Sequence, residues 1–330
     1  MSSRRAFLTG LAAACTVAAL PGAHAASTGA RVLTATDVHI KDYPTVAAVR
    51  WIGEQLERET GGRIRLRQYH SGQLGREAEA IDMARFGAID ITRVFTGALN
   101  NAFPLTQALC LPYVFDSVAH LRRALDGEVG AQVLSGFASR GLVGLAIYDS
   151  GARCFYNTRR ALRTPADMRG LKFRVPASDI FIQLVRLLGA NPTPLSYGEV
   201  FSAMETRLID GAENNLRSFH ASRQFEVAPF WSRTEHSYAP DVLLISQRSL
   251  EALEPRDREL LRALARESVA VMRRLWDESE RSADDAIRAA GVAFNAVDEA
   301  AFRHAARPLL DRYLQTPAVA SLHQRIRAQA

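Results

Sequence analysis

Residues Leu208 to His220 read LIDGAENNLRSFH. An apolar pair runs directly into Asp210, Gly211, Glu213, Asn214 and Asn215, in a segment with no room for a long loop. Either this is a polar turn in water, or a strand ends here and presents its side chains to a ligand. The second reading needs an open α/β sheet, because such sheets bind ligands outside the carboxyl ends of their strands.

The flanking sequence supplies one. Leu171, Phe173 and Val175 alternate with Lys172 and Arg174, a strand pattern that Pro176 terminates. Ser178 then predicts the N-cap of a helix carrying Ile180, Phe181, Leu184, Val185 and Leu188 and stopping at Gly189. Ser196-Tyr197-Gly198-Glu199 has capping-box spacing and opens a helix with Val200, Phe201 and Met204, after which Ile209 begins the short strand. The first half alternates likewise: strand 31–36, amphipathic helix 45–60, strand 64–69, helix 77–86 stopped by Gly87, strand 88–94 and a buried strand 141–148. This predicts a mostly parallel sheet covered by helices. Beyond Pro240, residues 242–246 form another strand, and from Pro255 a helical pattern runs towards Ala290 without proline or glycine. That is several times the average globular helix, so it is either a coiled coil or a helix bracing two lobes.

Strand ends nominate the candidate site. Arg174, Glu213 and Asn214 sit at such ends, and Arg153 follows the Asp149-Ser150-Gly151 turn. Two planar guanidinium forks and an amide suit a carboxylate, although a single such arginine also suits a structural salt bridge. In the first half, Asp37, His39 and Tyr43 follow the first strand, Glu77 opens a helix and Arg93 ends a strand, all placed to face a cleft. Glu77 equally suits a helix N-terminus and His39 a surface position, while Tyr197 and Phe219 read as packing residues.

The chain of 330 residues is 48% hydrophobic and 23% charged, an ordinary globular composition long enough for two domains. Arg4-Arg5, the apolar run Gly10 to Leu20 and Ala23-His24-Ala25 form an export signal over 1–25, similar to the twin-arginine type. Cys15 makes a poor lipid-attachment site, and Cys110 and Cys154, both in apolar contexts, read as unpaired. Removing the two signal arginines takes the net charge from +6 to +4. The basic residues are scattered rather than interleaved with aromatics, which speaks against nucleic acid, and a mild positive balance suits small anions.

Four ordered blocks, SGQLGREAEAIDMARFGAIDI, LPYVFDSVAHLRRALDGEVG, GLKFRVPASDIF and LGANPTPLSYGEVFSAMETRLIDGAENN, resemble the substrate-binding protein of tripartite ATP-independent periplasmic (TRAP) transporters. The resemblance covers essentially the whole mature chain. It implies an α/β, two-lobed periplasmic-binding-protein fold (type II-like), with a ligand cleft between lobes that close on a hinge and a long helix bridging them. The implied division is lobe 1 over 26–150, lobe 2 over 151–238, a return to lobe 1 over 239–278 and lobe 2 again over 279–330. It also implies that Arg174 clamps an organic anion, with Arg153 and Asn214 as its partners. The resemblance further implies no cofactor, no metal, no enzymatic activity, integral-membrane TRAP subunits as partners and a monomer in the periplasm.

Carboxylates at Asp37, Glu77 and Glu213 accept from hydroxyls and repel a second carboxylate, favouring a polyhydroxylated monoacid such as a hexuronate or aldonate. Arg93, if it points inward, argues for a C4-dicarboxylate, and oxo-acids remain behind both. A periplasmic enzyme acting on an acidic sugar is the alternative of another class, but no G-x-S-x-G, H-E-x-x-H or phosphate loop is present. Asp37, His39 and His236 match no recognised metal spacing. Changing Arg4 and Arg5 together to lysine is expected to trap folded precursor in the cytoplasm; normal maturation in a fractionation blot would refute the twin-arginine route.

Overall fold

The computed structural model describes residues 30–330; the export signal and Cys15 lie outside the described residues. Eleven strands follow one another: β1 (Arg31–Thr36), β2 (Ile64–Tyr69), β3 (Ile91–Phe95), β4 (Leu142–Tyr148), β5 (Arg153–Asn157), β6 (Lys172–Val175), β7 (Asn191–Pro194), β8 (Gly211–Asn215), β9 (Phe230–Ser237), β10 (Asp241–Ser246) and β11 (Ala293–Asn295). They form two sheets, ordered β2-β1-β3-β10-β4 and β11-β9-β5-β8-β6-β7, each the centre of one lobe.

Four of the five strands in the first sheet and five of the six in the second run in the same direction, so each sheet is mostly parallel and carries one reversed strand. β10 runs antiparallel to both β3 and β4, and β5 runs antiparallel to both β8 and β9. The reason is the path of the chain. After β4 it crosses through residues 149–152 directly into β5, and after β9 it returns through 238–240 directly into β10. A strand that begins at the crossing must run away from it, whereas β1, β3, β6 and β8 end beside it. The hydroxyl of Ser150 donates to the carbonyl of Ala239 at 2.6 Å, tying the two crossings together. Asp149, fully buried in the first crossing, is held by Arg122 at 2.8 Å and Arg273 at 2.7 Å.

The helix Pro255–Ala289 joins both cores. Its Leu261, Leu264, Ala265, Met272 and Trp276 pack with Val49 and Ile52 beneath the first sheet, and its Ile287 packs with Tyr156, Phe219 and Trp231 beneath the second. Phe219 is thus a core residue, as its sequence context indicated. At 1.5 Å per residue this helix is about 50 Å long. The C-terminal helix Pro317–Arg327 departs from the division that put all of 279–330 with lobe 2. It lies against the helix Leu105–Cys110, the Ile326 carbonyl sits 2.8 Å from His120 Nε2, and Arg327 meets Asp116 at 2.8 Å. Its apolar face, Val319, Leu322 and Ile326, completes the core on that side. Cys110 and Cys154 are both buried free thiols.

Ser178 occupies the expected N-cap of the helix Asp179–Leu187, but its side chain does not cap it. The hydroxyl instead hydrogen-bonds to the side-chain amide of Asn100 at 2.9 Å, joining the two lobes. In the LIDGAENN stretch, Ile209 packs into the core and β8 starts two residues later, at Gly211. Asp210 anchors the neighbouring strand, its carboxylate accepting from the Lys172 amide at 2.9 Å. Gly211 is required by close approach: a Cβ there would lie 2.3 Å from the Tyr156 carbonyl oxygen and 2.8 Å from the Phe173 ring. Gly211→Ala is expected to lower stability by about 1 to 3 kcal/mol, as overpacking does. Urea denaturation measures it, and an unchanged midpoint would contradict the packing described.

Candidate functional site

The crossings place a small polar cavity between the sheets. Of the eight residues nominated from sequence, Arg174, Arg153, Asn214, Glu77, Arg93 and His39 line it. Asp37 and Glu213 do not; both are buried behind the wall as partners of arginines.

Three guanidiniums face the cavity, and they differ in what already holds them. Arg153, at the start of β5, lies against Glu213 of β8, whose two carboxylate oxygens accept from Nε at 2.6 Å and Nη2 at 2.9 Å. Nη2 also donates to the Glu213 carbonyl at 3.1 Å and Nη1 to Asn214 Oδ1 at 3.0 Å. Four of five N–H donors are occupied, and the guanidinium stacks over Phe95 at 4.5 Å. Arg153 is therefore not the open second clamp expected from sequence. It brings one free N–H to the cavity. Burial works against the Glu213 carboxylate, but Arg153 outweighs it, with further help from His236, and holds the group down at about 2.

Arg93, in β3, is still more heavily engaged. Its Nε donates to Asp37 Oδ2 at 2.9 Å, its Nη2 binds Asp37 Oδ1 and contacts His39 Nδ1, and its Nη1 donates to Glu77 Oε1 at 3.2 Å. Asp241 Oδ1 stands 3.4 Å from the same Nη1. Three carboxylates share one guanidinium, so Arg93 offers no seat for a second ligand carboxylate. Asp37 is itself saturated, accepting also from the His39 amide at 2.9 Å and Thr45 Oγ1 at 3.1 Å. Burial alone would raise its pKa, yet Arg93 holds it well below the usual carboxylate range. Desolvation and Arg93 both lower His39, which is neutral near pH 7.

Arg174 is different. It is buried in β6 opposite Ala212 of β8, and its Nε donates to the Leu195 carbonyl at 2.8 Å. Among the described residues its Nη1 and Nη2 make no hydrogen bond and its charge has no ion pair. Burial lowers it from the ordinary arginine value, although a guanidinium stays protonated. The side chain is thus aimed by one bond and left with a free two-nitrogen edge. Beside it the Asn214 Oδ1 accepts from Arg153 and from the Asn215 amide at 2.8 Å, which leaves the amide NH₂ as a donor to the cavity.

Sequence reasoning missed Asp241, which lines the cavity from the first residue of β10 and reads in sequence as a strand edge after Pro240. It also took Tyr197 for a packing residue. Tyr197 lines the cavity, donates to the Ser218 carbonyl at 3.1 Å and leans on His39, with ring centroids 4.9 Å apart. Tyr43 stacks on the other side of His39 at 3.8 Å and its hydroxyl meets Ser218 Oγ at 2.8 Å, a bond between the lobes. At the mouth, Arg76 and Glu199 stand 3.5 Å apart across the cleft.

Two lobes joined by paired crossings, with a free guanidinium edge in the cleft between them, define a receptor for a small organic anion. Residues 36–316 match the bacterial extracellular solute-binding proteins of family 7, and the chain belongs to that family. It is similar to a TRAP periplasmic solute-binding protein from a Bradyrhizobium species solved in complex with D-galacturonate: 43% identity, TM-score 0.88, 90% of this chain and 100% of that one. A TRAP periplasmic solute-binding protein from Chromohalobacter salexigens, solved with bound D-glucuronate, has a TM-score of 0.88 at 34% identity, over 90% of this chain and 100% of its own. The 2,3-diketo-L-gulonate-binding periplasmic protein of Escherichia coli is 31% identical over 245 residues, 74% of this chain and 75% of its own. Proteins of this family bind small acids and work with membrane transporter subunits.

Breaking the Arg153–Glu213 pair strands a buried charge, so Glu213→Ala is expected to lower stability by about 3 to 5 kcal/mol at pH 7. A carboxylate depressed in the fold stabilises fully above its ordinary value of 4.5 and loses that contribution as pH falls through about 2. The difference between the parent and Glu213→Ala in urea denaturation should therefore narrow between those limits; a constant difference would contradict the assignment.

Proposed function

We propose that this protein captures a hexuronate, such as D-galacturonate or D-glucuronate, in the periplasm and delivers it as a monomer to the membrane subunits of a TRAP transporter. The observation that carries this reading is the free Nη edge of Arg174 in a cavity whose other two guanidiniums are already neutralised. One carboxylate fits that edge through two parallel hydrogen bonds. The opposite wall is rich in carboxylate oxygens, which accept from hydroxyls and disfavour a second acid group. A polyhydroxylated monoacid satisfies both walls, a C4-dicarboxylate only one. The ligands bound in the two solved relatives support the same choice. The lobes defined by the two crossings would close around the ligand, as the bond from Tyr43 to Ser218 and the Arg76–Glu199 pair close them here.

The enzyme alternative has one geometric claim. Ser218, His39 and Asp37 stand in the order of a hydrolase relay, with His39 Nε2 at 3.5 Å from Ser218 Oγ and Nδ1 at 3.1 Å from Asp37. The Arg93 guanidinium, which can only donate, also touches Nδ1. Arg93 also takes both oxygens of Asp37, so the carboxylate that would orient and charge-stabilise His39 in such a relay is already consumed. The 3.5 Å separation is also too long for a strong hydrogen bond. The site binds without converting.

Calorimetry with D-galacturonate and D-glucuronate tests the proposal. Arg174→Ala is expected to lose about 2 to 5 kcal/mol, roughly 30-fold to several-thousand-fold. Arg174→Lys should lose nearly as much, because an ammonium lacks the fork. Succinate should not bind the parent. Parent-like binding by Arg174→Lys, or tight succinate binding, would overturn the reading.

A further inference from the structure

Among the described residues, Asp241 is the one carboxylate of the cavity wall that accepts no hydrogen bond, its only tie being the longer ion contact to Arg93. Its neighbour Glu77 is fixed by the Phe95 amide at 2.9 Å and by Arg93. Asp241 is 97% buried, and among the described residues its carboxylate makes no hydrogen bond; its nearest charge is Arg93 Nη1 at 3.4 Å. It comes from the return strand, directly after the crossing at 238–240, and faces the cavity between β3 and β4. A buried polar group without a partner costs free energy unless something else satisfies it.

We infer that Asp241 is a specificity-determining acceptor, seating a hydroxyl of the ligand on the wall of the cleft supplied by the first lobe while Arg174 takes the carboxylate from the second. The inference rests on the hexuronate reading. The charged and titratable groups that act on Asp241 are Asp37 after β1, Tyr43, Glu77, Arg93 of β3 and Arg153 of β5, and His39 lines the same cavity. Asp37 and Glu77 repel its charge, and Arg93, shared with both, compensates incompletely. Burial first, and these two carboxylates after it, raise Asp241 to about 7, well above the ordinary carboxylate range, which favours its protonated form more than that of an exposed aspartate. A ligand hydroxyl donating to Asp241 stabilises the ionised form. Binding then expels the proton from the carboxyl oxygen to solvent, and the ligand O–H takes its place. The same contact explains why hydroxylation counts: an acid lacking that hydroxyl leaves a buried carboxyl unsatisfied.

Calorimetry of the full mature protein with D-galacturonate, in paired buffers of different ionisation enthalpy, reads the exchange directly. Release should approach one proton per ligand at pH 6 and vanish at pH 8.5, and affinity should rise with pH at up to about tenfold per unit below pH 7. Asp241→Asn, its fold checked by melting, should release no proton, lose the pH profile and bind more weakly than the parent at pH 8.5. Galacturonate bound by the parent without proton release, or an Asp241→Asn variant keeping the parent's release and profile, overturns the inference while leaving the hexuronate reading intact. Absence of any hexuronate binding at every pH overturns both.

Discussion

A guanidinium buried in a narrow space between two sheets has to find negative charge, and three of them face this requirement in the cleft. Arg93 and Arg153 meet it within the protein, through Asp37 and Glu213, and in doing so become rigid parts of the wall. Arg174 receives only a backbone carbonyl. The positive charge left over has a defined position and a defined planar edge, and the wall facing it is left with an excess of acceptors. The selectivity proposed for the site follows from this unequal pairing more than from the shape of the cavity.

The pairing depends in turn on the crossings. Arg153 begins β5, Asp241 begins β10, and Asn214 is the last residue but one of β8, yet all three arrive at one place because strands starting and ending at the junction lie side by side. The buried Asp149, gripped by one arginine from the first lobe and one from the long helix, fixes the first crossing, and the bond from Ser150 to Ala239 fixes the second against it. Both crossings are therefore tied down where they form the floor of the site.

Much of this was legible in the residues. Alternation around Phe173 located Arg174 at a strand end, the capping box at Ser196 forms, and the uninterrupted pattern after Pro255 gave the long helix. What failed was pairing at long range. The sequence put Arg153, Arg93, Asp37 and Glu213 near the cleft but had no means of showing that they would consume one another, since Glu213 lies 60 positions from Arg153 and Asp37 56 from Arg93. Asp241 stayed invisible for the same reason. The one reversed strand in each sheet was not foreseen, because alternation of strands and helices reports local order, not the direction from which a chain re-enters a sheet. The final helix was misplaced because its amphipathic face says that it packs, not on what.

The helix shared by both cores has an evolutionary corollary. Because the chain leaves the first lobe, returns to it, and then threads one continuous helix through the apolar interior of each, neither lobe is a contiguous module. A recombination between relatives would have to exchange two separate segments and match a helical interface at once. Diversification of such a receptor is therefore confined to point changes on the cleft walls, where a single unpaired charge decides what fits.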